Sequence, residues 1–317
     1  MRILLAKPRG FCAGVNMAVQ ALEEAVRSFD APIFVYHEIV HNTWVVNRFA
    51  ASGVRFVESL GKVPNGSVLM FSAHGVSPAV RREAERKQLR VIDATCPLVS
   101  RVHQAVIRYV SQGYHIIYVG HPAHDEVLGI VGEAPEHITV VSSEAEIDAF
   151  ELNAWEHASE QPFDRKKTAC LMQTTLSVDH ATQMIEKLRH LFPEMIVPEK
   201  NCVCYATQNR QEAVRQLAPQ TDIALVIGSP NSSNSRRLEE IATSRGITAH
   251  LIDGPDEIKM EWFSGFEMVL VTAGASAPED VVEACLERLK RSFDVTVEEI
   301  TVCEENLVFP LPKVQST

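Results

Sequence analysis

Short apolar runs alternate along the chain with stretches in which apolar residues recur every three to four positions. Ile3-Leu4-Leu5-Ala6 predicts a strand, and Val15, Ala18, Val19, Leu22, Ala25, Val26 and Phe29 predict one face of a following helix. The order returns at Arg90-Val91-Ile92-Asp93-Ala94. There Pro97 takes a natural first helical position, and Val99, Val102, Val106 and Tyr109 continue a helical face. It returns again where the apolar Met195-Ile196-Val197 precedes Arg210, Ala213, Val214 and Leu217 at helical spacing. Each time a cysteine marks the mouth of the helix: Cys12, Cys96 and Cys204.

A second run of strands ends in polar loops. Ile116–Gly120 leads into His121-Pro122-Ala123-His124-Asp125-Glu126, and Ala224–Gly228 leads into Ser229-Pro230-Asn231-Ser232-Ser233-Asn234-Ser235. In both, the glycine follows the cysteine by 24 positions (96 to 120, 204 to 228). The first counterpart is looser, Ile33–Tyr36 and then His37–Asn42. A third run comprises Val68–Phe71, Ala169–Met172 and Val269–Val271, ending in Ser72-Ala73-His74-Gly75, Gln173-Thr174-Thr175 and Thr272–Ser276.

The repeat predicts an α/β chain of three similar units with mainly parallel sheets, against the alternative of one doubly wound sheet. The units are residues 1–97, 98–200 and 201–285. Residues 286–317 return to the core, and Leu311–Thr317 is read as a frayed tail. Asp148–Lys167, with Trp155, His157 and Pro162, reads as a surface excursion of the second unit. Ligands of open α/β sheets collect at the carboxyl ends of strands, where every polar loop above falls. Three units facing inward would bring those loops to one central site.

Composition narrows the classes. With 317 residues, 46% of them hydrophobic, the chain is long enough for a sizeable core. A net charge of −11, from 30 basic and 41 acidic residues, argues against nucleic acid and against anionic lipid. No apolar stretch approaches the ~18 residues of a membrane span. MRILLAKPRGFCAG runs straight into a strand without the pattern of a signal peptide, so a cytoplasmic protein is expected.

The cysteines are 12, 96, 170, 202, 204, 285 and 303, scattered and odd in number, which disfavours a disulfide framework. A thiol at a helix N-terminus meets partial positive charge, which favours the metal-binding thiolate. Cys12, Cys96 and Cys204 share that context. Cys170 falls inside a strand, Cys285 on a helix and Cys303 in the last strand-like segment, while Cys202 lies on the same side as Cys204. Three such thiols suit zinc completed by histidine or water, or an iron–sulfur cluster with one open iron; spacing alone does not choose.

Ten segments together resemble the 4-hydroxy-3-methylbut-2-enyl diphosphate reductase family, which closes the methylerythritol phosphate route to isoprenoids. They are PRGFCAGV (8–15), EIVHN (38–42), SAHGVS (72–77), DATCPLV (93–99), HDEVLG (124–129), QTTLS (173–177), CYAT-NRQEA (204–213), GSPNSSNS (228–235), TAGASAP (272–278) and EEN-VF (304–309). They run in the family's order over essentially the whole chain.

The resemblance implies a pseudo-threefold trefoil around one 4Fe–4S cluster held by Cys12, Cys96 and Cys204. The Cys-Tyr-Ala-Thr match selects Cys204 over Cys202. It further implies an allylic diphosphate substrate whose hydroxyl binds the open iron, and electrons from a reduced ferredoxin or flavodoxin. The products would be isopentenyl and dimethylallyl diphosphate. Glu126 matches the family's proton source, Thr174 the hydroxyl that positions the substrate oxygen, and His124 a further catalytic group. His41, His74, His124, Thr174, Ser232, Ser233, Asn234 and Ser276 match substrate-binding positions.

These residue types suit that chemistry. Hydroxide is a poor leaving group and needs a nearby acid. A diphosphate needs many donors, and Ser232, Ser233 and Asn234 precede a helix whose N–H groups could join them. Leu60-Gly61-Lys62 lacks the context of a P-loop. Read alone, His41 and His74 are loop histidines, the serine–asparagine run is a helix cap, and Glu126 is a surface carboxylate or a catalytic acid. The competing functional readings are an iron–sulfur hydro-lyase, a cluster-based sensor and a zinc hydrolase.

Overall fold

The computed structural model describes residues 1–30, 32–151, 164–198 and 203–315. Trp155, His157, Pro162 and Cys202 lie outside the described residues. By internal contacts the chain divides into two compact units. One comprises Met1–Asp30, Glu38–Phe56 and Tyr205–Leu311; the other comprises Ala31–His37, Val57–Cys204 and Pro312–Thr317.

In the first unit Arg2–Lys7 does not pair with the strands that follow it in sequence. It lies between Met268–Ala273 and Thr296–Thr301, in a sheet that continues through Ile223–Ile227 to Thr248–Ile252. All four ladders are parallel. Alternation sends Ile3, Leu5, Leu225, Ile227, Val269 and Val271 to one face, where Val281, Val282, Cys285 and Leu289 of the helix Glu279–Ser292 cover them. Ala6, Ala224, Val226 and Leu270 go to the other. There they meet Ala213, Val214 and Leu217 of Tyr205–Leu217 and Leu238 and Ile241 of Ser233–Ser244. Burial on both faces explains why these strands read as continuous apolar runs. The helix Ala13–Ser28 buries Met17, Ala18, Ala21, Leu22 and Ala25. Val15 and Val26, expected on that face, are half-buried at its margin.

The second unit holds two sheets. In one, Phe34–Tyr36, Val68–Phe71 and Arg90–Asp93 run parallel in that order. Val314–Gln315 adds an antiparallel edge to Arg90–Asp93, with Val314 opposite Ile92. The expected frayed tail is thus paired at those two residues, because the open edge of Arg90–Asp93 offers backbone groups that need partners. In the other sheet His115–Val119 lies between Ile138–Val141 and Thr168–Met172, all parallel. Tyr118, Ala169 and Leu171 face Val102, Val106 and Tyr109 of the helix Pro97–Ser111. Ile117, Val119, Cys170 and Met172 face Ala181, Met184 and Leu188 of Val178–Leu191. Met195-Ile196-Val197 does not form a strand; Ile196 makes a single parallel bridge to Ala169.

The chain is therefore an α/β protein with three mainly parallel sheets, as the pattern predicted. Residues 8–12, 37–42, 72–75, 94–96, 120–124, 173–175, 228–232 and 274–276 all follow the carboxyl ends of strands.

Candidate functional site

In the first unit the strands Ile223–Ile227 and Met268–Ala273 deliver two polar loops side by side. A Cβ at Gly228 or at Gly274 would collide with Ser235, so both glycines let the helix Ser233–Ser244 start hard against the loops. Ser232 caps that helix, its hydroxyl accepting from the Ser235 N–H at 3.3 Å. The Ser276 hydroxyl lies 3.2 Å from the Ser232 hydroxyl and donates to the His41 carbonyl at 2.9 Å. His41 Nδ1 is 3.2 Å from Glu38 Oε2, which also accepts from Asn231 Nδ2 at 2.8 Å. His41, Ser232 and Ser276 are thus one hydrogen-bonded group, with Ser233 and Asn234 in the first turn of the capped helix.

Asn234 is the unusual member. Its amide oxygen and nitrogen, and the Ser233 hydroxyl, are buried without a hydrogen-bond partner among the described residues. Leaving a buried polar group unmade costs about 1–3 kcal/mol, so such groups mark a place where a polar ligand completes the set. The helix N-terminus adds exposed-dipole charge of the sign that binds anions.

Cys12 stands in the same unit as the N-cap of Ala13–Ser28, with φ −85° and ψ 170° and its thiol not spent on capping. Its N–H donates to the Ala275 carbonyl at 3.2 Å. Burial, then the neighbouring Cys12 thiol, pushes the Tyr205 phenol up to about 12.

The second unit gathers the remaining predicted residues. Glu126, for which a surface carboxylate and a catalytic acid are equal readings when it is taken alone, is 1% exposed. Its Oε1 accepts from the Thr174 N–H at 2.8 Å and from the Tyr118 hydroxyl at 3.3 Å; its Oε2 accepts from the Thr174 hydroxyl at 2.7 Å. His124 is the N-cap of Asp125–Val131 and accepts from the Glu126 N–H at 3.2 Å. The His124 and His74 rings meet edge to face, 5.7 Å between centroids, and His74 Nδ1 is 3.3 Å from the Ser72 hydroxyl.

The two helix-start cysteines of this unit are tied to the same loops. The Cys204 N–H donates to the Thr174 carbonyl at 2.9 Å, and the Cys96 N–H to the Ala73 carbonyl, next to His74, at 3.0 Å. Cys96 is the N-cap of Pro97–Ser111, and Cys204 directly precedes Tyr205–Leu217.

The other described cysteines differ. Cys170 and Cys285 are fully buried, and burial pushes Cys285 up to about 12, where it stays a thiol. Burial also raises Cys303, which lies two residues beyond the strand Thr296–Thr301 instead of inside it.

Sequence reasoning missed Tyr118 and Gln173. Tyr118 falls inside the strand run Ile116–Gly120, and its one signal is a hydroxyl in an otherwise aliphatic run. Gln173 is fully buried and its Oε1 accepts from the His121 N–H at 3.0 Å, which holds the 120–124 loop against 173–175.

The sequence profile of the LytB protein family matches residues 3–290. A protein of Rhodopirellula baltica named 4-hydroxy-3-methylbut-2-enyl diphosphate reductase is 50% identical over 99% of this chain and 95% of its own length. A protein of the same name from Streptomyces avermitilis is 46% identical over 98% of this chain and 90% of its own. Among solved structures, the E-1-hydroxy-2-methyl-but-2-enyl-4-diphosphate reductase of Plasmodium falciparum superposes with a TM-score of 0.91 at 34% identity. It covers 98% of this chain, which in turn covers 95% of that one. The α/β fold and these relatives define an enzyme of the oxidoreductase class. The chain belongs to the LytB protein family.

Proposed function

We propose that the chain reduces (E)-4-hydroxy-3-methylbut-2-enyl diphosphate to isopentenyl and dimethylallyl diphosphate, the last step of the methylerythritol phosphate route, in the cytoplasm. The carrying observation is the Glu126–Thr174 pair, a buried carboxyl bonded to both the N–H and the hydroxyl of one threonine.

The donor set fits a 4Fe–4S cluster. Cys12, Cys96 and Cys204 are half-buried thiols at helix starts, the setting that favours thiolate, and soft thiolates select iron–sulfur clusters. When bound, the cluster supplies electrons singly and an open iron for the substrate oxygen. A reduced ferredoxin or flavodoxin is the donor that would refill it.

The protein's own groups do the rest. His41, Ser232, Ser233, Asn234 and Ser276 hold the diphosphate, whose oxygens accept from Asn234 Nδ2 and the Ser233 hydroxyl. His74 and His124 add ring N–H donors. Thr174 positions the allylic oxygen. Glu126 gives a proton through the Thr174 hydroxyl, so that oxygen leaves as water and not as hydroxide. Overall the C–O bond breaks, one C–H bond forms, and two electrons and two protons are consumed.

The test is metal analysis and an absorption spectrum of anaerobically purified protein, with and without the diphosphate. The expected result is ~4 irons and ~4 acid-labile sulfides per chain, with a spectrum that shifts on adding substrate. Zinc without sulfide, or a loaded cluster blind to the diphosphate, overturns the reading.

A further inference from the structure

We propose that Arg210 is the positioning residue that fixes the backbone carrying Cys12, with Glu305 as its counter-charge; the inference rests on Cys12 being a cluster ligand. Arg210 is fully buried. Its Nε and Nη2 both donate to the Gly10 carbonyl, at 3.1 and 2.7 Å. Its Nη1 donates to Glu305 Oε1 at 3.0 Å and to the Ala206 carbonyl at 2.9 Å. Glu305 Oε1 is held in turn by Asn209 Nδ2 at 3.0 Å.

The loop that Arg210 grips has little freedom. Gly10 has φ +63°, and a Cβ there would lie 3.1 Å from the Ala277 carbonyl. The Gly10 N–H donates to the Ala273 carbonyl and the Cys12 N–H to the Ala275 carbonyl, each at 3.2 Å. Gly10 is therefore pinned from both sides, by the 273–277 loop and by the guanidinium. Because Ser276 follows Ala275, the loop that accepts the Cys12 N–H is also the one whose Ser276 hydroxyl meets the Ser232 hydroxyl.

Stability alone is a poor reason for this arrangement. A buried ion pair is commonly matched or bettered by well-packed apolar side chains, so its use is to fix one geometry. Only a planar fork can grip one carbonyl with two N–H groups while bonding a carboxylate, and lysine cannot. The pair also accounts for two matched segments that the proposed function leaves without a role, NRQEA and EEN-VF.

The experiment is amide hydrogen exchange on the full-length protein, resolved at Gly10 and Cys12, together with the rate of iron loss to a chelator. In Arg210→Lys both amides should exchange at least tenfold faster and iron should leave at least tenfold faster. The Leu270 and Val271 amides of the same sheet should keep their parent rates. Arg215→Lys, on the same helix, should change neither. Parent rates at Gly10 and Cys12 in folded Arg210→Lys overturn the proposal, as does equal acceleration across the sheet. Should Arg210→Lys not fold, Glu305→Gln should show the same pattern more weakly, and parent rates there are equally contrary. In the unsubstituted protein the two amides should exchange as slowly as strand amides, and unprotected amides there also overturn the proposal. Exchange is read whatever the metal content, so a failure of the cluster reading appears separately, as missing iron and sulfide.

Discussion

Two side chains carry the chemical account, and each makes a different prediction. Glu126→Gln keeps the shape and one of the two acceptors for Thr174 but removes the transferable proton. Cluster content and diphosphate binding should persist while turnover falls roughly 10²–10⁴-fold, the usual contribution of a general acid. Turnover near that of the parent would remove Glu126 as proton source. Asn234→Ala removes a buried amide that has no partner among the described residues. Its melting temperature should hold or rise, because an unmade polar group is deleted, while KM for the diphosphate rises. A marked loss of stability would mean that the amide serves the fold instead of a ligand.

These residues were legible in the sequence to different degrees. The types and order of Glu126, Thr174 and the serine–asparagine run were readable. The burial of Glu126 was not, because it depends on Tyr118 and on Thr174, 48 positions away. Arg210 was read as part of a helical face, and it is indeed buried there. Its partner Glu305 is 95 positions distant, a separation that periodicity does not report.

Strands and helices explain how these groups are held, and the elements too can be tested. Gly274 has no left-handed conformation to protect, so the cost of Gly274→Ala is steric: its Cβ meets Ser235 at the start of Ser233–Ser244. Crowding of this kind costs about 1–3 kcal/mol. The substitution should lower the melting temperature and raise KM for the diphosphate together, by moving the Ser232 cap. An unchanged KM would separate that loop from substrate binding.

His115, at the head of His115–Val119, tests the sheet it opens. Burial, with a smaller contribution from His137, pushes it down to about 4, from an ordinary value of 6.5. The folded state keeps it neutral, with Nε2 2.8 Å from the Thr139 hydroxyl, whereas the unfolded chain takes up a proton. Its contribution is therefore present above pH 6.5 and is lost as pH falls from 6.5 toward 4. His115→Gln should flatten the decline of melting temperature across that window. An identical slope would show that His115 is not a source of the acid sensitivity.

Most elements were readable because both periods, two and near 3.6, are strong here. Pro97 begins a helix as expected, and Pro78 begins another in the same way. Met195–Val197 failed as a strand because three apolar residues suffice for a bridge but leave no length for a ladder.

At the scale of the molecule, what the sequence concealed was pairing. Periodicity indicates that Arg2–Lys7 is a strand, but not that its neighbours are Met268–Ala273 and Thr296–Thr301. Parallel strands take partners through long crossovers, and no local signal names the partner. The same holds for Val314–Gln315, whose value lies in an open edge more than two hundred positions earlier in the sequence. The rule that ligands gather at strand carboxyl ends survived this uncertainty, since it depends on strand direction and not on neighbour order. That is why the loops bearing the site were legible while the sheets behind them were not. Among the described residues, no helix is long and apolar enough to cross a membrane.

Reductive loss of the allylic hydroxyl is the central claim, and electron stoichiometry tests it most directly. Anaerobic, cluster-loaded protein is given (E)-4-hydroxy-3-methylbut-2-enyl diphosphate with dithionite and a viologen mediator, and products and reductant are counted together. The account predicts two electrons consumed for each substrate, with isopentenyl and dimethylallyl diphosphate as the products. No turnover with a full cluster, or loss of water without consumption of reductant, would contradict it.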